Sequence, residues 1–348
     1  MTISKDNKIL IDWAREISKS HPFWDFHAHP FCVLSENTSY QMENKIPGLY
    51  ATHDSTYRPP KFEQWSAPSH NKIKFQSKTL SESALLLSSR MKYTFSGPKV
   101  FSDYIDQVGI SNVMLLPFMR ESGDASGTVK EMATMFSDDS RFKFGCPLPV
   151  DLSPEKYDEF IQDAINKWDV QCIKIHPNLS GIDPLSKEGQ SVLYSVLEIA
   201  GRRKLPIVVH GGRTPGISPP EYQEFGTLSR LAKIDWSVSS APVIIAHAGC
   251  YGLEENELES AIFTIESMFG KHSNLMVDTS ALATDVLRQL MTRLDRKRFI
   301  FGSDALYFSV WSGWLSLLQV LKSISSPPEE ELIQIASVNP KNCLPHLD

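Results

Sequence analysis

The chain has 348 residues, of which 41% are hydrophobic and 22% are charged, and its formal net charge is −6. This length suffices for one barrel-sized domain or two ordinary ones, and the composition is that of a globular protein. The acidic balance and the lack of a basic run argue against a nucleic-acid partner and an anionic membrane partner. No apolar stretch reaches the ~20 residues needed to span a bilayer.

The N-terminus and the cysteines bear on the cell compartment. Residues 1–20 form a mixed, amphipathic segment without the apolar core or cleavage site of a signal peptide. The five cysteines are odd in number and include no Cys-x-x-Cys pair. This usage fits a reducing compartment better than a disulfide framework or a zinc knuckle. The sequence therefore predicts a cytoplasmic protein.

Short apolar runs bounded by turn residues recur along the chain, and we interpret them as strands. Both faces of each run are apolar, which is typical of strands buried in a parallel sheet. The runs cover residues 23–29, 111–118, 142–148, 170–176, 205–210, 242–247, 274–279 and 298–303.

Helical patterns separate most of these strands. Ser153-Pro154-Glu155 supplies a helix N-cap with proline in the first turn, and Ser186 can cap the next helix. Similar patterns cover residues 253–269, 282–294 and 314–324, and residues 329–338 predict a C-terminal helix on the exterior. Eight strands alternating with helices favour a (β/α)8 TIM barrel over an open doubly wound sheet. We expect one domain over residues 1–348.

A long segment after the first strand does not fit the bare barrel. Residues 31–98 are rich in polar residues and prolines and are long for a loop. Thr79-Leu80-Ser81-Glu82 has capping-box spacing and leads into an apolar pattern that ends near Met91. We predict an insertion that caps the barrel mouth; a surface excursion without a role is the alternative.

Several strands end on side chains that can bind a metal. His27 and His29 are two residues apart, so an extended backbone points both imidazoles to one face. His210, His247 and Asp304 each end a later apolar run. Catalytic groups of a TIM barrel lie at the carboxyl ends of its strands, so we expect these side chains around one mouth. Zinc accepts imidazole and carboxylate ligands, and iron(II), manganese or cobalt could use a similar set.

These residues and their neighbours resemble the amidohydrolase superfamily. The resemblance covers most of the chain from residue 23 onward, except the insertion. Four short motifs are similar to those of the amidohydrolase-2 branch, which includes aminocarboxymuconate-semialdehyde decarboxylase and other aromatic-acid decarboxylases beside hydrolases. The motifs are Ile173-Lys174-Ile175-His176-Pro177, Val209-His210-Gly211-Gly212, Ile245-Ala246-His247-Ala248-Gly249 and Phe301-Gly302-Ser303-Asp304. These motifs are specific for the superfamily and poorly specific for the reaction.

The resemblance implies a role for each strand-end residue. One divalent metal, Zn²⁺ first and Mn²⁺, Fe²⁺ or Co²⁺ as alternatives, would be held by His27, His29, His210 and Asp304. Asp304 would also move protons, and His247 would polarise the substrate or bound water. The alternative for the histidines is packing in the barrel without a ligand role. The alternative for Asp304 is capping of the following helix.

The resemblance also draws attention to Lys174 and His176 on the fourth strand. In binuclear members of the superfamily, a strand-four lysine is carboxylated and bridges two metals. Burial near a metal would depress the pKa of Lys174 and favour carboxylation. The alternative is a barrel-interior charge paired with Asp25 or Asp304. We expect His176 beside the site, as a substrate-contacting or loop residue and not as a ligand.

Two arginines are candidates for binding a substrate carboxylate. Arg213 follows His210 within a glycine-rich segment, and Arg120 follows the second strand. A guanidinium can hold a carboxylate with two hydrogen bonds. Either side chain is equally well explained as a solvated loop arginine.

Three functions are compatible with these residues. The first is a metal-dependent hydrolase, in which metal-activated water attacks an amide, lactone or ester carbonyl of a small molecule. The alternative is a mononuclear-metal decarboxylase of a small carboxylic acid, aromatic acids included. A catalytically silent barrel is the third, and the intact set of candidate ligands argues against it. A homodimer is expected if the cap exposes apolar surface.

Overall fold

The structure is a computed structural model that describes residues 3–29, 65, 67, 98–117, 119, 123–150, 152–214, 218–305 and 308–344. Its described residues contain an eight-stranded parallel sheet in which each strand pairs with the next along the chain. The strands are β1 Trp24–Ala28, β2 Asn112–Leu115, β3 Phe142–Pro147, β4 Val170–Ile175, β5 Ile207–Val209, β6 Val243–Ile245, β7 Leu275–Asp278 and β8 Phe299–Ile300.

Backbone hydrogen bonds between β1 and the β8 segment close the sheet into a barrel. The Phe26 N–H donates to Phe301 O at 2.9 Å, Asp304 N–H to His27 O at 2.8 Å, and His29 N–H to Ala305 O at 2.9 Å. The predicted TIM barrel is therefore confirmed, and each of the eight predicted strand ranges contains an observed strand. The observed strands are shorter than the predicted ranges at one or both ends.

Side-chain alternation along the strands separates two apolar layers. Ile173 and Val209 belong to a cluster that also contains helix residues such as Leu193. Cys172 and Val208 belong to a second, smaller cluster formed almost entirely by strand residues. Because strand side chains alternate between faces, the second cluster fills the barrel interior. Lys174 continues the interior face from Cys172 in β4, toward the mouth.

The helices of the described residues lie between and around the strands. They are α1 Ile3–Ser18, α2 Pro98–Val108, α3 Ala125–Met135, α4 Tyr157–Trp168, α5 Pro177–Ser180, α6 Lys187–Arg203, α7 Leu228–Leu231, α8 Leu258–Lys271, α9 Thr284–Arg293, α10 Val310–Ile324, α11 Pro328–Ile333 and α12 Asn339–Cys343. Within the described part of the chain, no helix is both long and apolar enough to cross a membrane.

The capping predictions had mixed outcomes. The hydroxyl of Ser186 accepts from Gly189 N–H and caps α6 as predicted. Ser153 occupies the predicted N-cap position with Pro154 in the first turn, but it precedes the 3₁₀ turn Pro154–Lys156 that leads into α4, and its side chain makes no capping hydrogen bond. The predicted C-terminal helix is present as α11, which continues into the π-helical turn Gln334–Val338.

The insertion lies almost wholly outside the described residues. The predicted helix that begins at the capping box near Thr79 falls there, so its prediction stands as made. Trp65 is an exception: it is 2% exposed and stacks on Trp311 of α10 with ring centroids 5.4 Å apart. Its carbonyl accepts from the Asn7 side chain at 2.8 Å. The insertion is therefore attached to the barrel wall at this tryptophan.

Candidate metal centre

Three predicted ligands meet where β1 and the segment after β8 close the barrel. The His27 and His29 Nε2 atoms are 3.1 Å apart. Asp304 Oδ1 lies 3.1 Å from His29 Nε2 and 3.7 Å from His27 Nε2. All three side chains are buried. Two ligand atoms held at ~2.0–2.1 Å by a tetrahedral ion are themselves about 3.3 Å apart, so this triangle has the size of one face of such a site.

The outer ring nitrogens explain why the Nε2 atoms face inward. The His29 Nδ1–H donates to the carbonyl of Leu116 at 2.6 Å, and the His247 Nδ1–H contacts the carbonyl of Ser280 at 3.1 Å. His27 Nδ1 lies 2.7 Å from the Asp278 carboxylate. Since carbonyl and carboxylate oxygens only accept, each Nδ1 carries the hydrogen. A neutral ring then presents its lone pair at Nε2, which is the form that binds a metal.

His210 is outside the closest groups of candidate ligand atoms. The two groups of donor atoms within 4.8 Å of one another among the described residues are His27, His29 and Asp304, and His27, His247 and Asp278. His210 belongs to neither and is connected to them through His247, whose ring centroid is 5.2 Å from His27 and 5.0 Å from His210. Its role as a ligand stays a prediction.

The His210 ring nonetheless contains a buried nitrogen that needs a partner. Its Nε2 has no hydrogen-bond partner among the described residues. A buried polar atom without a partner is costly and calls for a water or an ion. The residues present therefore fit a cation: three inward imidazoles, one carboxylate and an unsatisfied nitrogen on a fourth imidazole share one buried mouth.

Burial sets the charge state of these groups. Burial, and then the charge of Lys174, lower the pKa of His27 to about 3. Burial also lowers the pKa of His210 and His247 below the ordinary histidine value. Burial alone would raise the pKa of Asp304, but its contact with His29 and the nearby His247 lower it below the ordinary aspartate value. Neutral imidazoles and an ionised carboxylate are the protonation states that a divalent cation requires.

Lys174 lies in the mouth as predicted, directly beside a candidate ligand. Its Nζ is 3.1 Å from His27 Nε2, and its side chain is buried. Burial lowers the pKa of this lysine to about 8. The predicted ion pairs with Asp25 or Asp304 are not among its hydrogen bonds and salt bridges; Asp304 acts on it only through longer-range charge. The bridging role stays a prediction.

Asp25 instead connects the two segments that bear the candidate ligands. Its carboxylate accepts from the Ser303 N–H at 2.9 Å, the Ser303 hydroxyl at 2.5 Å and the His27 N–H at 3.2 Å. Burial raises the pKa of Asp25 to about 7. These bonds fix the register between β1 and the residue that precedes Asp304.

The predicted substrate-binding residues have different surroundings. Arg120 lies outside the described residues. The His176 ring stacks on the His210 ring, with centroids 4.0 Å apart and planes 7° apart. The Arg213 guanidinium donates to the Glu257 carboxylate at 2.6 and 2.8 Å and to Glu224 at 2.8 Å. These ion pairs account for Arg213 without a ligand, and its role in substrate binding stays a prediction.

Sequence reasoning missed Asp278 and Ser280. Asp278 ends the run Leu275–Asp278, so it obeys the same rule of an apolar strand that stops on a polar residue. The same rule therefore identifies Asp278 in the sequence as a further candidate for the mouth. Ser280 gave no signal, because serines are common in loops.

Several solved structures resemble this fold. The fold resembles 5-carboxyvanillate decarboxylase from Sphingomonas paucimobilis, with a TM-score of 0.57 and 12% identity over 93% of this chain and 99% of that one. It also resembles dihydroxybenzoic acid decarboxylase from Polaromonas sp. JS666, which was solved with manganese and 2-nitroresorcinol, with a TM-score of 0.53 and 11% identity over 93% and 97% of the two chains.

A third similar structure is a probable 2-pyrone-4,6-dicarboxylic acid hydrolase from Acinetobacter baumannii, with a TM-score of 0.53 and 13% identity over 93% and 99% of the two chains. At these identities the likeness shows the fold alone. No curated protein matches the sequence. The family model described as amidohydrolase matches residues 24–345, nearly the whole barrel. The chain therefore belongs to the amidohydrolase-2 family.

Proposed function

We propose that this chain is a metal-dependent hydrolase that cleaves an amide, lactone or ester bond of a small molecule. The observation that carries the proposal is the position of Asp304. Its carboxylate is 3.1 Å from His29 Nε2, so it lies at the proposed ligand set and also faces the mouth where a substrate would enter. A carboxylate in this place can take a proton from an attacking water.

The metal would be one divalent cation, held by His27, His29 and Asp304, with His210 as the fourth protein group. Zn²⁺ suits this mixture of imidazole and carboxylate ligands, and the manganese in one similar structure makes Mn²⁺ the first alternative. When bound, the cation supplies Lewis-acid polarisation and lowers the pKa of water.

The protein residues would then move one proton through the reaction. Asp304 accepts it from the water as the water oxygen bonds to the carbonyl carbon. Asp304 returns it to the leaving nitrogen or oxygen as the scissile bond breaks. His247, with its Nδ1–H bonded to Ser280, presents the lone pair of Nε2 and would accept a hydrogen bond from the attacking water, which orients that water toward the carbonyl carbon. Burial of the mouth strengthens each of these interactions.

Decarboxylation of a small carboxylic acid, aromatic acids included, is the second candidate. It is favoured by two of the similar structures, which are decarboxylases of aromatic acids. Decarboxylation requires a group that binds the substrate carboxylate. Among the described residues near the mouth, Arg213 is already paired with Glu257 and Glu224. The pairing of Arg213 leaves this reaction without a free carboxylate-binding arginine among those residues, and we therefore place hydrolysis first.

The two reactions differ in their products. We would incubate the metal-loaded protein with a panel of lactones, esters, amides and hydroxybenzoic acids in ¹⁸O-water. Hydrolysis places one ¹⁸O in the product acid and releases no carbon dioxide, whereas decarboxylation releases carbon dioxide without consuming water. Asp304→Asn is the control and should be inactive in either case. Carbon dioxide as the product would overturn the hydrolase proposal in favour of the second candidate.

A further inference from the structure

Asp278, at the end of β7, is the acceptor for an unusual number of donors in the mouth. Its Oδ2 lies 2.7 Å from His27 Nδ1. Its Oδ1 accepts from the His247 N–H at 2.7 Å, the Ser280 N–H at 3.0 Å and the Ser280 hydroxyl at 2.5 Å. The carboxylate is only 1% exposed. Although it is close enough to His27 and His247 to be a metal ligand, both of its oxygens are already engaged.

Asp278 also holds His247 in a conformation that its sequence does not favour. His247 and Ala248 have φ values of 57° and 46°. Residues other than glycine in the left-handed region cost roughly 1–3 kcal/mol each, and they persist where the surroundings impose them. The bond from His247 N–H to Asp278 fixes the backbone at the start of this turn. The Ser280 hydroxyl, 2.8 Å from His247 Nδ1, fixes the ring.

We propose that Asp278 and Ser280 form a positioning pair that orients His27 and His247 together. Asp278 keeps the hydrogen of His27 on Nδ1, so that Nε2 keeps its lone pair for the metal. The same carboxylate and the serine beside it hold His247, whose ring centroid is 5.2 Å from that of His27. The pair thereby couples the metal-binding side of the site to the substrate-binding side. The inference rests on the proposed metal centre but not on hydrolysis as the reaction.

Replacing the Asp278 carboxylate by an amide changes the contact with His27 and leaves the contacts with His247 and Ser280 in place. In Asp278→Asn the side-chain oxygen should stay with the three donors that bond Oδ1, because the amide nitrogen cannot accept from them. The amide NH₂ then faces His27 Nδ1. Two donors cannot share that contact, so the variant loses the charged acceptor that holds the hydrogen on Nδ1. The Ser280 hydroxyl, 3.1 Å from Nδ1, is a weaker acceptor, and we expect the hydrogen to move to Nε2, which removes the lone pair that faces the pocket. Loss of such an outer partner of a ligating histidine lowers metal affinity by about 10–100-fold.

The test measures the affinity for Zn²⁺ and the tautomer of His27, and it does not depend on turnover. Zn²⁺ affinity would be measured by chelator competition in the wild type, in Asp278→Asn, and in the control Asp139→Asn. Asp139 accepts from Arg141 and Ser102 at the amino end of β3, which is the opposite end of the barrel. We expect affinity to fall by about 10–100-fold in Asp278→Asn and by less than about twofold in the control. Circular dichroism checks that each variant is folded.

A second measurement reads the tautomer of His27 directly. Long-range ¹H–¹⁵N spectra of histidine-labelled, metal-free wild type should show His27 as the Nδ1–H tautomer, and Asp278→Asn should show Nε2–H. Wild-type His27 in the Nε2–H form, or unchanged Zn²⁺ affinity in a folded Asp278→Asn, would overturn the inference. Wild type that binds neither Zn²⁺ nor Mn²⁺ would overturn it with the metal centre. Failure to find a hydrolysed substrate would leave these results unaffected, and would count against the proposed reaction alone.

Discussion

The ion pair between Arg213 and Glu257 allows the two explanations of this arginine to be separated. Arg213 follows His210 by three residues, and the sequence presents it as a candidate for binding a substrate carboxylate. In the structure its Nη1 and Nη2 donate to Glu257 at 2.6 and 2.8 Å. If this pairing is its function, Arg213→Gln and Glu257→Gln should cost similar stability, and neither should change the substrate KM by more than about twofold.

The size of the effect follows from the pKa and the exposure of the pair. The hydrogen bond from Arg213 is the main cause that lowers the pKa of Glu257 from 4.5 to about 2. For a fully buried pair this lowering would correspond to roughly 3 kcal/mol. The two side chains are 29% and 34% exposed, so solvent screening reduces this to about 1 kcal/mol. An unfolding entropy of ~2.1 cal/mol/K per residue then predicts a Tm lower by about 1–2 °C.

The direction of the pH dependence of stability follows from the lowered pKa of Glu257. Because the folded pKa of Glu257 is lowered, its contribution is present above about pH 4.5 and is lost as pH falls toward 2. The difference in Tm between wild type and Glu257→Gln, measured by scanning calorimetry, should therefore be largest above pH 5 and smaller at pH 3. Arg293→Gln is the control, because its pair with Glu259 is more exposed and should contribute less than about 0.5 kcal/mol.

Two results would refute this reasoning. A Tm difference that stays constant from pH 7 to pH 3 would mean that Glu257 does not stabilise the fold through its charge. An unchanged Tm in Arg213→Gln, together with a KM raised tenfold or more, would mean that the arginine binds substrate and that the pairing with Glu257 is incidental.

Three further predictions concern the site. Asp304→Asn should lower kcat by at least ~100-fold with an unchanged circular dichroism spectrum, and activity within tenfold of wild type would contradict its proposed role. Protein purified without chelator should contain one divalent cation per chain by elemental mass spectrometry; two cations with a carbamate on Lys174 would indicate a binuclear site. Gly212 has a φ of 124°, and an added Cβ would lie 2.2 Å from Tyr251 O, so Gly212→Ala should cost more than ~2 kcal/mol in denaturant unfolding; a cost under ~0.5 kcal/mol would contradict the strain.

The barrel was predictable because its strands are buried on both faces. Each strand therefore appears in the sequence as an apolar run, and the first polar residue after the run marks its carboxyl end. This rule placed His27, His29 and Asp304 at one mouth, where the structure has them within 3.7 Å of each other. The family resemblance rested on the same positions, and the match over residues 24–345 agrees with it.

What the sequence could not show is which neighbours each polar side chain meets. Arg213 is 44 residues from Glu257, and no local pattern connects them. His210 was expected among the metal ligands, but its distance from His27 depends on the width of the mouth and on the ring of His247 between them. The insertion, which the sequence predicts to cap the mouth, contributes Trp65 as its described contact with α10.

The backbone at the two proposed catalytic residues gives the strongest reason to treat the mouth as a functional site. Asp304 and His247 both have left-handed φ values, 59° and 57°, without being glycine. Each is held there by a hydrogen bond from its own N–H to a neighbouring strand: Asp304 to His27 O, and His247 to the Asp278 carboxylate. Residues other than glycine cost roughly 1–3 kcal/mol each in this region, and Asp169 and Lys204 also adopt it at helix ends. Asp304 and His247 differ from these two caps because both are buried beside other candidate metal ligands. Their place in the mouth, together with the strain, favours a chemical reason for keeping an acid and an imidazole there.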